Sequence, residues 1–327
     1  MNLRDPPGRR SPAALLSFGV INLDKPPGPS AHQVAEWVRE LAGDALADRK
    51  HTTGDAGGSV AGDGDESGGT ETGIDRVAHA GTLDPKVTGS LPFMLGDATR
   101  LAQVFDDSVK EYVAVLELHG PAPSDCEAIV AEFEGEIHQK PPRKSAVRRR
   151  LRVREIHDIA VLERDGRQVL LGVRCESGTY VRKLCHDLGL ALGTGAHMGD
   201  LRRTATGTFD DTTLVSMETF ADALAFWIED DNPEPLCDVV DPAERALVTL
   251  PRVLIAPSSA REVAEGAPVY APGVIDVAPA EVGGAEPTDN ALVACYMPNG
   301  AAVCLGRLVG DPDADSGTVV DLERVLV

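Results

Sequence analysis

The chain has 327 residues, 43% of them hydrophobic, so it is long enough for two domains with packed cores. It carries 31 Lys and Arg against 52 Asp and Glu, a formal net charge of -21. Taken at face value, this charge argues against a nucleic-acid partner, because phosphate contacts need cations. The sequence has no apolar run of membrane-spanning length and no signal-peptide pattern, so we expect a soluble, cytoplasmic protein.

The distribution of charge along the chain changes this interpretation. Only seven of the 31 cations are lysines, and eight cations with no acidic residue among them fall within 140–154. A strongly acidic chain with little lysine is typical of a protein kept soluble in concentrated salt, where surface repulsion is screened. We therefore hypothesise a halophilic protein whose stability falls when salt is lowered from molar to about 0.1 M.

The cysteines indicate neither a disulfide framework nor a metal site. They form no Cys-x-x-Cys pair and no Cys/His cluster at zinc spacing, so we expect reduced and mostly buried thiols and no bound metal. The six residues are Cys126, Cys175, Cys185, Cys237, Cys295 and Cys304.

The first third of the chain alternates between ordered patterns and a low-complexity segment. Residues 18–25 (FGVINLDK) predict a strand, and helical spacing after Ser30 predicts a helix with Ser30 as its N-cap. Eight of the twenty residues from Gly54 to Gly73 are glycine and five are acidic. Such a segment buries too little apolar surface to offset its chain entropy, so we expect a disordered insertion at about 44–73.

The remaining elements predict a mixed α and β protein. The apolar spacing at 93–105 favours a helix, and the texture changes after 250 to short β-like runs between Gly and Pro turns, which favour a small β-barrel. Between these regions we predict strands at 112–118, 152–161 and 168–175, and helices at 127–133, after 177–179 and at 212–229.

The stretch HAGTLDPKVTGS, residues 79–90, carries one carboxylate, Asp84. Asp followed by Pro is common at the start of a helix, because Asp accepts hydrogen bonds from the first free N–H groups and Pro has none to lose. Taken alone, Asp84 therefore favours a helix cap over a chemical role.

Arg182 shifts that balance towards chemistry. In CESGTYVRKLCHDLG (175–189) it lies just inside the first turn of a predicted helix, where the macrodipole disfavours a cation by up to about 1 kcal/mol. An arginine there either extends into solvent or meets an anion. Facing Asp84, it would hold the carboxylate ionised and oriented through charge-assisted hydrogen bonds.

Two further features favour an RNA partner. The basic stretch QKPPRKSAVRRRLRVREI (139–156) is either a solvated face or a phosphate-contacting loop, and its presence in a chain that otherwise avoids cations favours phosphate. Tyr112 opens a strand and either packs there or stacks on a base taken out of its helix. Gly81 and Gly89 would then leave room for an RNA backbone.

Six stretches, in order, resemble the TruB/dyskerin family of RNA pseudouridine synthases, especially archaeal members with a C-terminal PUA domain. They are GVINLDKPPGPS (19–30), HAGTLDPKVTGSLP (79–92), KEYVAV (110–115), QKPPRKSAVRRRLRVREI (139–156), RCESGTYVRKLCHDLG (174–189) and GAHMGDLRRTATGTF (195–209). LPRVLIAPSSAREVAEGAPVYAPGV (250–274) is similar to the start of a PUA domain. The resemblance covers most of 18–215 and, less tightly, 250–327.

The resemblance implies an α+β fold with a mixed, largely antiparallel sheet, flanking helices and a central cleft, plus a small C-terminal β-barrel of the PUA type. It implies an N-terminal extension at 1–17 packing on the PUA domain, a pseudouridine synthase domain at 18–249 and a PUA RNA-binding domain at 250–327. Residues 139–156 would form an RNA-contacting loop and strand. The insertion at 44–73 has no counterpart in the family pattern.

Residue by residue, the resemblance implies that Asp84 is the nucleophile of a GTLDP loop, that Tyr112 packs on the target base and that Arg182 pairs with the aspartate. Lys25 matches a lysine near the cleft, in either a substrate-binding or a structural role. The other implied substrate-binding residues are His79, Leu201, Lys140, Lys144, Arg148, Arg149 and Arg150. Ala78 and Ser30-Ala31 depart mildly from the family pattern without affecting the three central residues.

The implied reaction breaks the N-glycosidic bond of a uridine, rotates the uracil and rejoins it through carbon. It involves no net redox change or hydrolysis, so no cofactor or metal is expected. Three roles stay open for Asp84: attack on ribose C1′, attack on the uracil ring, or assistance in losing the C2′ proton.

The implied partner is RNA, in one of two settings. One is the TΨC-loop uridine of tRNA, modified without a guide. The other is rRNA uridines selected by an H/ACA guide RNA, together with three small core proteins: a zinc-ribbon-like protein, a β-barrel and a kink-turn binder. Two other functions compete: a non-catalytic RNA-binding scaffold of the same fold, and a hydrolase acting on a small substrate. The hydrolase leaves the basic stretch and the β-rich C-terminus without a role.

Overall fold

The computed structural model describes residues 3–54, 74–141 and 150–327. Their backbone forms two β-sheets with helices packed around them, and the larger sheet is mostly antiparallel. The predicted α+β class with a mixed, largely antiparallel sheet is therefore confirmed. The described cysteines are all free thiols, and all but Cys237 are buried.

The larger sheet, in the described part of the chain, has ten strands. In chain order they are β1 (Phe18–Lys25), β2 (Val77–His79), β3 (Thr88–Gly96), β4 (Lys110–Leu118), β5 (Gly135–Gln139), β6 (Arg152–Asp165), β7 (Gln168–Cys175), β8 (Ala196–Thr206), β9 (Phe209–Asp210) and β10 (Asp241–Pro242). Their order across the sheet is β10-β1-β3-β8-β4-β7-β6-β5, with β2 on β3 and β9 on β8. Neighbours on this path are antiparallel except β3 and β8.

The parallel contact of β3 with β8 requires a glycine. Gly89 lies opposite Arg203 and has a φ of 98°, in the left-handed region that favours glycine. A Cβ atom on Gly89 would lie 2.1 Å from the carbonyl oxygen of Arg203. The missing side chain of Gly89 thus makes room for strand β8, and the prediction that it makes room for RNA is wrong.

Eight α-helices are described. They are α1 (Pro12–Ser17), α2 (Ala31–Gly54), α3 (Ala102–Asp106), α4 (Cys126–Ala131), α5 (Val181–Ala191), α6 (Met217–Glu229), α7 (Glu234–Val239) and α8 (Pro257–Ala264). The predicted N-cap of α2 is confirmed: Ser30 Oγ accepts from the Gln33 amide at 3.2 Å, and Gln33 Oε1 accepts from the Ser30 amide at 2.9 Å. Helix α5 buries Val181, Leu184 and Leu188 along one stripe.

The smaller sheet lies at the C-terminus and curls into a half-barrel. Its strands are β11 (Arg252–Ile255), β12 (Val269–Tyr270), β13 (Val274–Ala278), β14 (Leu292–Tyr296), β15 (Ala302–Leu308) and β16 (Thr318–Val325), in the order β12-β16-β15-β14-β11-β13. Only β11 and β14 are parallel among its described pairs. It encloses its own apolar core, which includes Val253, Ile255, Val293 and Val303.

The two sheets share a second apolar cluster where they meet. Phe18 and Met94 of the larger sheet are packed there with Tyr296 and Leu305 of the smaller one, and all four are at least nine-tenths buried. Burial of such side chains contributes roughly 1.5–3 kcal/mol each. The contact is therefore a continuous hydrophobic interface.

A buried ion pair lies beside this interface. Both Nη atoms of Arg10 donate to the carboxylate of Glu244, at 2.7 and 2.6 Å, and Glu244 also accepts from the amide of Ala302 at 3.0 Å. Nearby, Arg4 Nε donates to the carbonyl of Leu326 at 2.9 Å. The described part of the N-terminal segment therefore contacts both the turn that follows β10 of the larger sheet and the C-terminal half-barrel.

Two predictions about elements are wrong in part. Helix α2 continues to Gly54, so 44–54 is helical where we expected the start of a disordered insertion, and 55–73 lies outside the described residues. Residues 93–96 belong to β3, with Phe93 opposite Ile21, and only 97–106 are helical. Strand β3 is buried along nearly its whole length, so it lacks the alternation that distinguishes a strand from a helix in sequence.

Candidate active site

Asp84 lies in the loop that joins β2 to β3. Residues 85–86 form a turn in which the Val87 amide donates to the Asp84 carbonyl at 3.0 Å, and a strand follows at Thr88. No helix begins after Asp84, so the capping interpretation is excluded. The Asp-Pro pair shapes a turn that presents the Asp84 side chain, 51% exposed, to solvent.

Lys25 holds this loop from below. Lys25 is fully buried, and its ammonium group donates to the carbonyls of Pro26, Pro85 and Val87 at 2.9, 3.0 and 2.9 Å. Burial lowers the pKa of Lys25. Three acceptors use all three hydrogens of a lysine ammonium, so the predicted substrate-binding role is corrected to a structural one.

Arg182 meets Asp84 across the cleft. Its Nη2 atom forms an ion pair with Asp84 Oδ2, and the two side chains are 47% and 51% exposed. The arginine lies in the first turn of α5, as predicted. The start of that helix is fixed by buried Gln139, which donates to the Tyr180 carbonyl at 3.2 Å and accepts from its amide at 2.9 Å. Sequence reasoning missed Gln139.

The pair lies at the edge of a cleft of about 420 Å³. The cleft is lined by the Asp84 loop, the start of β4, the 177–180 loop and strand β8. Tyr112 and Leu201 both line it, as does Met198. The cleft therefore brings together the three residues predicted to act in catalysis, Asp84, Tyr112 and Arg182. Leu201, predicted to bind substrate, lines the same cavity.

Arg203 forms part of the cleft and was missed from the sequence. It is 1% exposed, and it donates from Nε to the Ser90 carbonyl at 2.7 Å and from Nη2 to the Gly81 carbonyl at 3.3 Å. Its guanidinium also interacts electrostatically with the Tyr112 side chain. Burial raises the pKa of Tyr112 and the Arg203 charge opposes that rise, so the phenol is protonated near neutral pH. Arg203 follows Leu201 at strand spacing, a signal that places both on one face.

Lys110 is a second buried cation in the cleft wall that sequence reasoning missed. It is 3% exposed and donates to the carbonyls of Phe105 and Ser108 at 2.8 and 2.9 Å and to Ser108 Oγ at 2.6 Å. Burial, helped by the neighbouring charge of Arg203, lowers the pKa of Lys110 to about 7. It lies in the quoted KEYVAV stretch, two residues before Tyr112.

His79 does not line the cleft. Its ring stands edge-on to Phe93 with centroids 6.3 Å apart, and its Nδ1 atom is buried without a hydrogen-bond partner among the described residues. Burial, with a smaller contribution from Arg203, lowers the pKa of His79, so the ring is neutral at pH 7. The His79 side chain therefore lies outside the cleft and does not make the predicted contact with a flipped nucleotide.

The basic residues are only partly described. Lys140 lines a second depression, next to the cleft and sharing Arg182 and Met198 with it, while Arg150 is exposed. Lys144, Arg148 and Arg149 lie outside the described residues. In the described chain, no cluster of three or more His, Cys, Asp or Glu has metal-site geometry, and no helix has the length and hydropathy to cross a bilayer.

Three family models match segments of the chain. Residues 5–35 match the DKCLD (NUC011) domain, 70–125 the N-terminal domain of the TruB family of pseudouridylate synthases, and 182–248 the C-terminal domain of tRNA pseudouridylate synthase B. A Haloarcula marismortui protein named as a tRNA pseudouridine synthase B is 61% identical over 327 residues, covering 100% of this chain and 94% of the relative. The chain belongs to the TruB family of pseudouridine synthases. These enzymes are isomerases.

Other relatives of this TruB-family chain also come from archaea. A Halobacterium salinarum protein with the same name is 57% identical, covering 100% of both chains. One from Methanopyrus kandleri is 42% identical, covering 98% of this chain and 86% of the relative. The two halophilic relatives agree with the halophilic origin hypothesised from the acidic composition.

Solved structures of full-length similarity also exist. The chain matches one in the crystal structure of a Cbf5-Nop10-Gar1 complex with a TM-score of 0.83 and 38% identity, covering 100% of this chain and 90% of the other. It matches one in an H/ACA RNP bound to a substrate RNA containing 2′-deoxyuridine with a TM-score of 0.81 and 36% identity, covering 100% and 91%. Both matches include the C-terminal half-barrel, so the family relationship extends over the whole chain.

Proposed function

We propose that the chain isomerises uridine to pseudouridine in structured RNA, with Asp84 as nucleophile, Arg182 as its charge partner and Tyr112 as the platform for the flipped base. The observation that carries this proposal is the Asp84–Arg182 ion pair at the edge of the cleft that Tyr112 lines. A carboxylate that is half exposed and held by a cation stays ionised yet open to a substrate.

The cleft supplies what a flipped uridine needs. Removing a base from its stack costs a few kcal/mol, which aromatic and apolar walls partly offset. Tyr112, Leu201 and Met198 provide such walls, and the cavity of about 420 Å³ is in the range of small-ligand pockets. Because half of the Asp84 side chain is exposed, its carboxylate can reach ribose C1′, the uracil ring or the C2′ proton of a bound nucleotide.

We further propose that the RNA is rRNA directed by an H/ACA guide, with tRNA as the second substrate. The support is the full-length similarity to chains in the Cbf5-Nop10-Gar1 complex and in the H/ACA RNP bound to substrate RNA. The relatives named as tRNA pseudouridine synthases B support tRNA. The same complexes support small core proteins like Nop10 and Gar1 as partners.

The two ends of the molecule have proposed roles in holding RNA. We infer that 250–327 is a PUA domain that grips the RNA away from the cleft, because it forms a separate half-barrel with its own core. Lys140 and Arg150 border the proposed basic loop, which would close over the RNA backbone. The free thiols support a reducing, cytoplasmic location.

The test is reconstitution with purified chain in molar salt. Pseudouridine is mapped by mass spectrometry in a tRNA transcript and in an rRNA fragment, each with and without guide RNA and the small core proteins. We expect guide-dependent product in the rRNA fragment and guide-independent product in the tRNA. The Asp84→Asn variant is the matched inactive control. Absence of product from the wild-type chain in all four mixtures would overturn the proposal and favour a non-catalytic scaffold.

A further inference from the structure

We propose that Arg203 and Lys110 form a cationic floor beneath the cleft that stabilises the negative charge on uracil when its bond to ribose breaks. This inference rests on the proposed uridine isomerisation, because it concerns the charge that this reaction creates. It assigns an electrostatic role to two residues that neither the motifs nor the ion pair of Asp84 required.

The two cations lie together under the loop that carries Asp84. Both line the cleft. A Cβ atom built on Gly81 would lie 3.5 Å from Arg203 Nη1 and 3.8 Å from Lys110 Cε, so both side chains approach the same point of the loop. Arg203 also interacts electrostatically with Tyr112, the residue proposed to carry the base. The two positive charges therefore lie together in the wall of the cleft proposed to receive the uracil.

Within residues 3–54, 74–141 and 150–327, no carboxylate forms a close ion pair with Arg203 or Lys110, although Asp106 and Asp107 act on the Lys110 charge from farther away. In each described ion pair a cationic nitrogen lies within 4.0 Å of a carboxylate oxygen. None of these pairs includes Arg203 or Lys110. Their described hydrogen-bond acceptors are backbone carbonyls and the Ser108 hydroxyl.

Burial of an unpaired charge costs several kcal/mol. Lys25 shows that a buried lysine can serve structure alone, but Lys25 does not line the cleft, whereas Arg203 and Lys110 do. The carbonyls that Arg203 and Lys110 satisfy would accept equally from neutral amide donors. What a neutral donor does not supply is a positive potential in a site with little water, where charge acts over several ångströms. We therefore assign a function to these two charges from their position in the cleft wall.

The reaction creates a matching negative charge. When the C1′–N1 bond breaks, its electron pair leaves with N1, and the uracil carries one negative charge spread over N1, O2 and O4. After rotation, an electron pair of the ring forms the new C5–C1′ bond, the C5 proton is lost and N1 takes up a proton. The anion is present only between bond breaking and bond formation. A fixed cation under the base thus stabilises the transition state more than the ground state.

The charge state of Lys110 agrees with this role near neutral pH. Burial and the charge of Arg203 lower its pKa to about 7, with Asp106, Asp107 and Cys175 as the other charged or titratable neighbours. Arg203 remains a cation despite burial, because an arginine is not deprotonated in proteins at neutral pH. Arg203 is accordingly the larger contributor to the floor.

The test compares two leaving groups in otherwise identical RNA. One RNA carries uridine at the target position and the other 5-fluorouridine, whose fluorine withdraws electrons and stabilises the departing anion without protein help. Single-turnover rates are measured as loss of the intact nucleoside by mass spectrometry, below the pKa of Lys110. We expect Arg203→Met to lower the uridine rate about 100-fold and the 5-fluorouridine rate about tenfold or less.

The control variants separate charge from shape. Arg203→Lys keeps the charge and should recover most of the uridine rate. Arg202→Met removes the adjacent arginine, which pairs with Asp24 at 3.0 Å and does not line the cleft, and should leave both rates unchanged. If Arg203→Met does not fold, as judged by circular dichroism, Lys110→Met provides the same comparison with a smaller expected difference.

Equal losses on both substrates would overturn the inference, because a purely structural role for Arg203 and Lys110 slows both reactions alike. That outcome would leave the proposed function intact, since the wild-type chain would still convert uridine. A wild-type chain that leaves uridine unchanged would instead overturn the proposed function itself. The two failures are thus distinguishable in one experiment.

Discussion

Two arginine–carboxylate pairs in this molecule have the same chemistry and different surroundings. In the joint between the sheets, the side chains of Arg10 and Glu244 are 2% and 10% exposed, with two hydrogen bonds between them. In the cleft, Arg182 and Asp84 are 47% and 51% exposed. The comparison teaches that burial, and not the identity of the pair, separates a structural clamp from a group that a substrate can reach.

The hydrogen-bond partners confirm the contrast. Glu244 also accepts from the Ala302 amide, so its charge is surrounded by protein donors. Asp84 forms its ion pair with Arg182 through Oδ2, and half of the Asp84 side chain is exposed. The first carboxylate is enclosed by protein donors, whereas the second is exposed enough for a substrate to reach it.

Asp84→Asn is expected to have the largest effect. Removing the nucleophilic charge should lower the rate of pseudouridine formation by about 10⁴-fold, equivalent to about 5.5 kcal/mol, while RNA affinity changes little. The measurements are single-turnover product formation and RNA binding on the same preparation. Product at a rate within about tenfold of wild type would remove Asp84 from the chemistry.

Breaking the buried pair should affect stability and spare activity. Glu244→Gln is expected to lower the free energy of unfolding by about 3–5 kcal/mol, because it leaves Arg10 buried without a counter-charge. Denaturant unfolding in molar salt measures it, and the double variant Arg10→Met/Glu244→Leu should recover part of the loss. A change below about 1 kcal/mol would show that the joint does not depend on the pair.

Arg182→Ala should act on the rate and not on binding. We expect kcat to fall about 100-fold, or about 2.7 kcal/mol, with KM within about threefold, because the ion pair orients Asp84 and does not hold the RNA. Steady-state kinetics on the tRNA transcript measures both constants, and Arg182→Lys should be intermediate. A fall confined to KM would assign Arg182 to RNA binding.

Lys110 should make stability depend on pH. Its pKa is lowered by folding to about 7 from 10.5, so between these values the unfolded chain binds more protons than the folded chain. The free energy of unfolding should therefore rise with pH across that window, relative to Lys110→Met as the matched control. The expected difference is about 1.4 kcal/mol per pH unit at most, measured by urea unfolding at several pH values. Parallel pH profiles would contradict the assignment.

The smallest expected effect is the change with salt concentration in the stability lost through Glu244→Gln. Weak dependence on salt would distinguish this buried pair from an exposed one. The whole protein should lose stability when salt is lowered from molar to about 0.1 M, because acidic repulsion is less screened. The extra loss caused by Glu244→Gln should change by less than about 0.5 kcal/mol between these conditions, since a buried pair is poorly screened. A large salt dependence of that loss would mean that water reaches Arg10.

The site residues that lie in recognisable motifs were predicted from the sequence. The residues whose role depends on how deeply their side chains are buried were missed. The GTLDP loop, the first-turn arginine and the strand tyrosine could be found because each departs from a local rule or recurs in a family pattern. Arg203, Lys110 and Gln139 could not, because nothing in a local pattern tells a buried cation or amide from a surface one. Lys25 is the opposite case. Its motif identified the residue, but only its three carbonyl partners showed that its role is structural.

The parallel contact between β3 and β8 also has a consequence for how the protein is made. The hydrogen bond from Arg203 to the Ser90 carbonyl joins residues 113 positions apart, and that to the Gly81 carbonyl joins residues 122 apart. Contacts of such separation form late, because a long loop must close before they gain anything. A ribosome must therefore release β8 before the cleft exists, so a growing chain has no assembled site with which to engage the RNA around it.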